Sequence, residues 1–350
     1  MTVGRDGLAR QLAAAVGQQA RPDELGQLIS DAVAPWVAHD ALRLVGTSPT
    51  VGLGQGSFSF WHRYETELVE ALLVRHRYLG ADPCSPEAIA RRERPVGLVG
   101  GEHSDRPTRD LLAAQGVGGE LRLVLRDARG VWGLLGLVRA EGGKAFGSTD
   151  VDQAIRLVPA LLSAVRRYVT DGPLTPAVPA LPTGVVIVGA DHRIRSVSPQ
   201  ARQWLERMWT PQRCAIPSEL AESCLIRMSH LARRHAQDPG APPPLACYPA
   251  ATFGRWTAIE GQPLDADGTG EVAVVIQSAT GAMLLPSLCD WYHVTPRERR
   301  VIEQLYQGMA PKQIARRLEL STHTVNDHLK SVFRKTGASG RDELIAALTG

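Results

Sequence analysis

The chain has 350 residues, 44% of them hydrophobic, and a net charge of only +3. That length makes room for two or three domains. No apolar run reaches the roughly 18 residues of a membrane span, and the opening stretch sets Arg5, Asp6 and Arg10 among alanines instead of an apolar signal core, so the expected location is the cytoplasm. The five cysteines, Cys84, Cys214, Cys224, Cys247 and Cys289, are scattered and form no CxxC, which points to reduced, buried thiols and away from a disulfide framework or a zinc site.

In chain order, the first signal is a helix over "DELGQLISDAVAPWV", with Leu25, Leu28, Ile29, Ala32, Val33 and Trp36 at helical spacing. "ALRLVG" reads as a strand. Residues 119–140 read as a strand, a turn at Asp127–Gly130 and a second strand. In the first of these Leu121, Leu123 and Leu125 alternate with Arg122 and Arg126, which predicts one wet face. The second, "VWGLLGLV", is apolar throughout and reads as central. A helix with Val151, Ile155, Val158, Leu162 and Val165 on one side follows, interrupted by Pro159. This order of elements resembles a GAF sensor domain over about residues 20–170, which implies an α+β fold. The cyclic-nucleotide signature of some GAF domains is not evident, so a nucleotide ligand does not carry over.

The stretch "DGPLTPAVPALPTG" (171–184) reads as a proline-rich linker. Beyond it come a strand at 184–189, a polar turn and a short strand. Ser198 and Pro199 are suited to begin a helix there, and a second helix covers 217–236. Strands are expected at about 245–248, 253–260 and 271–278. Two strands, helices and three strands resemble a PAS-like α+β domain. A weaker break is expected at "ATGAMLLPSLCDWYH" (279–293).

The last 60 residues carry ten Lys/Arg against six Asp/Glu, so the excess positive charge gathers there and a polyanionic partner is expected. "TPRERRVIEQLYQG" opens with a capping box between Thr295 and Glu298. "PKQIARRLELS" is a short second helix. In "STHTVNDHLKSVFRKTG" Val325, Leu329, Val332 and Phe333 make an apolar stripe, with His323, Asp327, Lys330 and Arg334 opposite. "RDELIAALTG" is a final helix with Leu344, Ile345 and Leu348 available for packing or pairing. Short helix, tight turn and polar-faced helix is the helix-turn-helix layout.

Residues 294–349 resemble the LuxR/FixJ-type helix-turn-helix family. The resemblance rests on "TPRE" at 295–298, Gly308, "IA" at 314–315, Ser321, "TV" at 324–325, His328, Lys330, "KTG" at 335–337 and Arg341, Glu343 and Leu344. It departs from the family at Ala310 and Gly340, where capping hydroxyls are usual. It implies an all-α four-helix domain in which Asn326, Asp327 and Lys330 read bases, and in which Thr295, Lys312, Ser321, Thr324 and Lys335 contact phosphates. The order GAF-like, PAS-like and LuxR-type resembles a group of actinobacterial regulators.

No catalytic motif emerges. "GLGQGS" (52–57) lacks the dinucleotide spacing, "GGKAFGST" lacks the P-loop Lys-Ser/Thr, and no GxSxG or HExxH occurs. No cofactor or metal is expected. His39, His62 and His103 are isolated. The cluster "SFSFWHRY" is either core or the wall of a ligand cavity formed by Phe58, Phe60, Trp61, Tyr64 and Trp132. The expectation is a multidomain, non-enzymatic transcriptional regulator divided as 1–172, 181–280 and 292–350. It binds the major groove of double-stranded DNA and pairs with itself, through the last helix or through Leu8, Leu12 and Val16, and an unknown small-molecule effector is open. The alternative is a sensory scaffold whose C-terminal bundle binds protein.

Overall fold

The structure, a computed structural model, describes residues 5–17, 22–52, 56–64, 84–208 and 218–349. The chain gathers into two compact units, Met1–Tyr168 with Leu205–Arg227 and Val169–Trp204 with Met228–Gly350.

In the first unit the described elements are α1 (Arg5–Gly17), α2 (Pro22–Val33), β1 (Ala41–Gly46), β2 (Phe58–His62), α3 (Pro86–Ala90), β3 (Val96–Val99), α4 (Arg106–Ala114), β4 (Val117–Asp127), β5 (Gly130–Ala140) and α5 (Ser148–Thr170). The five strands form one antiparallel sheet in the order β2-β1-β5-β4-β3. The β4–β5 hairpin turns where expected, because the Asp127 carboxylate accepts from the Arg129 N–H at 2.8 Å and from the Trp132 indole at 2.8 Å. α5 is fastened to the sheet twice. Arg166 pairs with Asp127 and lies 4.2 Å from the Trp132 ring centre, and Arg139 holds Asp150 at 2.8 Å while covering Phe146.

Arg122 and Arg126 were expected on a wet face of β4, but Arg122 is only 3% exposed. Both faces of β4 are covered, and Arg122 is tolerated inside because it pairs with buried Glu120 at 2.7 Å. At the other edge α2 lies directly on β2. A Cβ added to Gly26 would sit 2.0 Å from the Trp61 carbonyl oxygen.

The second unit holds β6 (Gly184–Val188), β7 (Ile194–Val197), α6 (Pro199–Met208), α7 (Ser218–Gln237), β8 (Leu245–Tyr248), α8 (Ala250–Phe253), β9 (Thr257–Pro263), β10 (Val272–Ser278), α9 (Gly281–Trp291), α10 (Pro296–Tyr306), α11 (Pro311–Arg317), α12 (Thr322–Thr336) and α13 (Arg341–Thr349); α6 and α7 run across the division between units. Its sheet, β7-β6-β10-β9-β8, is antiparallel and repeats the strand pattern of the first, although no sequence repeat announces it. Ser198 caps α6 as expected, accepting from the Ala201 N–H at 3.1 Å.

The proline-rich stretch is docked on its neighbours: Ala177 N–H donates to Gly254 O at 2.7 Å, Arg255 donates to Val178 O at 3.0 Å, and the Trp204 indole donates to Pro182 O at 2.8 Å. The weak break expected at 279–293 is the helix α9. Leu284, Leu285, Leu288, Cys289 and Trp291 are all buried along it, and an apolar sequence on all sides of a helix needs cover on several sides. It finds this cover against β8, α10 and α13. Cys84, Cys247 and Cys289 are buried free thiols, and burial pushes the Cys247 and Cys289 thiols up to about 12.

Replacing Gly26 with alanine forces α2 off β2, since backbone and not a flexible side chain stands in the way. The expected cost is about 1–3 kcal/mol, read as a lowered thermal midpoint of the full chain by near-ultraviolet circular dichroism, with far-ultraviolet helix content retained below the transition.

Candidate nucleic-acid interface

The C-terminal helices stand on local signals. Thr295 Oγ1 accepts from the Glu298 N–H at 3.3 Å and Glu298 Oε2 accepts from the Thr295 N–H at 2.7 Å, a complete capping box on α10. Ala310 has no side chain with which to cap α11, and Gln313 Oε1 reaches back to its N–H at 2.8 Å instead. At α13, Ser339 donates its N–H and hydroxyl to Glu343 Oε2 at 2.7 and 2.6 Å, doing the work absent at Gly340. Between α11 and α12 the chain turns through Glu319, which takes φ 56°, and Leu320 N–H closes the turn on Ala315 O at 2.9 Å. Ser321 caps α12 through the Thr324 N–H at 3.0 Å, and Gly337 ends it at φ 75°.

α12 presents two sides. Val325, Leu329 and Val332 are buried against α10 and α11, while Phe333 is half-buried. Asn326, Asp327, Lys330 and Arg334 are exposed on the other side, with Ser321 and His323 at its start. Lys312 and its neighbours Arg316 and Arg317 are exposed on α11, and Thr295 and Thr324 are half-buried at their caps. Asp327 Oδ2 lies 3.4 Å from His323 Nε2 one turn earlier, a pairing the sequence reading had not singled out. It is visible as a His-x-x-x-Asp spacing along one helix face.

Lys335 sits differently. Its ammonium donates to Glu298 Oε2 at 2.6 Å, and both side chains are largely withdrawn from solvent. The contact joins the end of α12 to the start of α10. Burial alone would raise the Glu298 pKa, but the Lys335 ammonium, the Thr295 N–H and the hydroxyls of Ser331 and Thr295 outweigh it and hold the carboxyl at about 2. The apolar side chains offered for pairing are also in use: Leu344 and Leu348 of α13 are buried, α13 packs on α9, α10 and α12, and Leu12 of α1 is buried. Leu8 and Val16 lie outside the described side chains.

The five residues assigned to a ligand cavity do not share one face of the first sheet. Phe58 and Phe60 stack with Tyr168 of α5, at 4.7 and 4.9 Å between ring centres, and Trp132 lies under Arg166 of the same helix. Trp61 and Tyr64 meet edge to face at 5.6 Å on the opposite side. The strand's two-residue period separates them. Among the described residues no group of three His, Cys, Asp or Glu side chains is placed to hold a metal, and no helix is long and apolar enough to cross a membrane.

The C-terminal arrangement defines a helix-turn-helix domain of the LuxR class. Residues 293–348 match the family described as bacterial regulatory proteins, luxR family. Similar stretches occur in UhpA of Escherichia coli, 49% identical over 51 residues, covering 15% of this chain and 26% of that protein. The monoamine regulon transcriptional regulator of Klebsiella aerogenes is 38% identical over 53 residues, covering 15% of this chain and 23% of that protein. A protein of Mycobacterium bovis named as an HTH-type transcriptional regulator is 35% identical over 77 residues, 22% of this chain but only 9% of its own length. The chain therefore spans well under half of each of these relatives. Among solved structures, a phycoerythrobilin-bound GAF domain of a cyanobacterial phytochrome aligns at TM-score 0.33 and 15% identity, covering 49% of this chain and 98% of that one. Escherichia coli SdiA aligns at TM-score 0.36 and 13% identity, covering 97% of this chain and 94% of that one.

Glu298 has a folded-state pKa below its unfolded one. It therefore contributes stability in full above about pH 5, and that contribution is lost as the pH falls toward 2. Glu298→Gln should lower stability at pH 7 by about 2–3 kcal/mol and flatten the acid limb, as measured by urea unfolding of the full chain at pH 7 and pH 3.

Proposed function

We propose that the chain is a sequence-specific, DNA-binding transcriptional regulator of the cytoplasm. It acts as a homodimer, and its two sheet domains sense or pair in place of any catalysis. The observation that carries the reading is the exposed row Asn326, Asp327 and Lys330 on a helix whose reverse side is buried. A helix of this kind fits the major groove, where Lys330 donates to guanine O6 and N7, Asn326 pairs with adenine, and Asp327 accepts from cytosine N4 while disfavouring other bases. Ser321 and Thr324 at the helix start and Thr295 at the α10 cap supply hydroxyls for phosphates, and Lys312 supplies charge. The luxR-family match supports this reading.

Lys335 belongs to the phosphate set by resemblance, yet its ammonium is held by Glu298. Its share in binding would come through placing α12 as much as through a phosphate.

On this reading Lys330→Ala costs about 1–3 kcal/mol on the preferred duplex and relaxes preference at one base pair. Lys312→Ala weakens every duplex alike and reduces the salt slope by about one. Lys335→Ala lowers the unfolding midpoint together with the affinity, whereas Lys330→Ala leaves the midpoint unchanged. Fluorescence anisotropy over a salt series, on duplexes selected from genomic fragments, checks all three. Lys330→Ala and Lys312→Ala binding every duplex as the wild type does would sink the assignment.

Pairing doubles a small contact area through effective concentration. Sedimentation velocity on a duplex carrying two half-sites should show two chains per duplex at micromolar protein. One chain per duplex across the whole titration contradicts the homodimer.

A further inference from the structure

A row of residues crosses the first sheet. Trp61 on β2 is in register with Arg43 on β1, Arg43 with Gly136 on β5, and Gly136 with Arg122 on β4. Registered neighbours share a face, and Glu120, two residues before Arg122, shares it too. The missing side chain at Gly136 leaves the space that Glu120 fills, since a Cβ there would lie 2.8 Å from Glu120 Oε1.

The polar groups on this face are buried and mostly matched. Arg122 Nε donates to Glu120 Oε2 at 2.7 Å, Tyr64 donates its hydroxyl to Glu120 Oε1 at 2.7 Å, and Arg122 Nη1 donates to Cys84 O at 2.9 Å. Burial alone would raise the Glu120 pKa, but the Arg122 and Arg43 guanidiniums and the Tyr64 hydroxyl more than offset it, so Glu120 is a carboxylate. Burial, together with that carboxylate, raises the Tyr64 pKa and keeps its phenol a donor.

Among the described residues two guanidiniums face one carboxylate. Arg122 is spent on Glu120 and Cys84, but Arg43 is not. Its guanidinium carbon lies over two aromatic rings, 5.5 Å from the Trp61 ring centre and 5.3 Å from that of Tyr64. Its Nε is buried without a hydrogen-bond partner, and among the described residues nothing accepts from its Nη groups. A guanidinium carries five N–H donors in a planar fork made for a carboxylate, and leaving a buried donor unmet is costly. Around it lies an apolar cluster that includes Ile89, Val99, Leu112, Val124 and Val138.

We propose that this face of the first sheet binds a small organic monoanion, a carboxylic acid with an apolar body, whose carboxylate takes the N–H edge of Arg43 and whose body lies against Trp61 and Tyr64. The Arg43 guanidinium, with its Nε unmet, matches one negative charge. A dianion such as phosphate meets Glu120, whose charge opposes the second one. The assignment deepens the sensing role proposed for the sheet domains and rests on that reading for its purpose, while binding itself is measured without DNA.

The test uses the full chain, with phenylacetate and octanoate as probes against phenylacetamide and octanamide, which keep the body and lose the charge. At about 10 mM the acids should raise the thermal midpoint by about 2–4 °C and the amides should not; inorganic phosphate should leave it unchanged. By calorimetry Arg43→Gln should weaken acid binding at least tenfold, and Arg43→Lys, which keeps the charge without the fork, should fall between. The proposal is overturned if neither acid moves the midpoint, if the amides match the acids, or if Arg43→Gln binds as the wild type does. The acid-against-amide comparison needs no variant to fold. Duplex affinity measured on the same preparation separates the two readings: a chain that holds DNA and ignores the acids defeats this proposal alone, and a chain that takes the acids through Arg43 but no duplex defeats the DNA reading alone.

Discussion

One carboxylate organises the C-terminal domain. Glu298 closes the capping box of α10 with one set of bonds and grips Lys335 at the far end of α12 with another. The polar face of α12 is useful only if its axis is fixed, and the apolar stripe Val325, Leu329 and Val332 fixes the rotation of the helix but resists sliding less firmly. A short charge-assisted hydrogen bond between helix ends adds a directional restraint that dispersion contacts lack. Its cost is a dependence on ionisation: once Glu298 is protonated, both the cap and the tether weaken together.

The C-terminal domain was legible because each of its helices is declared locally. Thr295 with Glu298, Ser321 and Gly337 are all short-range signals, and the structure uses each of them. Lys335 shows where such reading stops. A lysine near a helix end looks the same whether it faces phosphate or a carboxylate 37 residues away, and only the packing of α12 on α10 brings Glu298 into reach. The missing cap at Ala310 likewise found its substitute one turn on, in Gln313.

The sheets were legible in their strands and misleading in their faces. The alternation Leu121, Arg122, Leu123 is the pattern of a half-exposed strand, yet both sides are covered. What the pattern hides is that Glu120 and Arg122, two positions apart, neutralise each other on one face. The aromatic cluster at 58–64 divides between the two faces for a similar reason: neighbours in sequence on a strand are opposites in space. The apolar run at 281–291 contains Pro286 and has no polar side to signal an amphipathic helix, whereas a helix covered on several sides needs none.

That last helix also bears on how such chains are assembled from parts. α9 leans on β8 at one side and on α10 and α13 at the other, and it meets the second sheet closely enough for Cys247 Sγ to reach Met283 O at 3.5 Å. The natural seam for exchanging DNA-reading modules between proteins therefore does not fall at the start of the luxR-type match. A graft joined at Val294 would lay a foreign helix bundle on Leu284, Leu288 and Trp291, side chains shaped for the one removed. A graft that brings its own α9 must instead satisfy β8. Either way the connector belongs to a pair, because α9 packs on the second sheet and on the C-terminal helices at once.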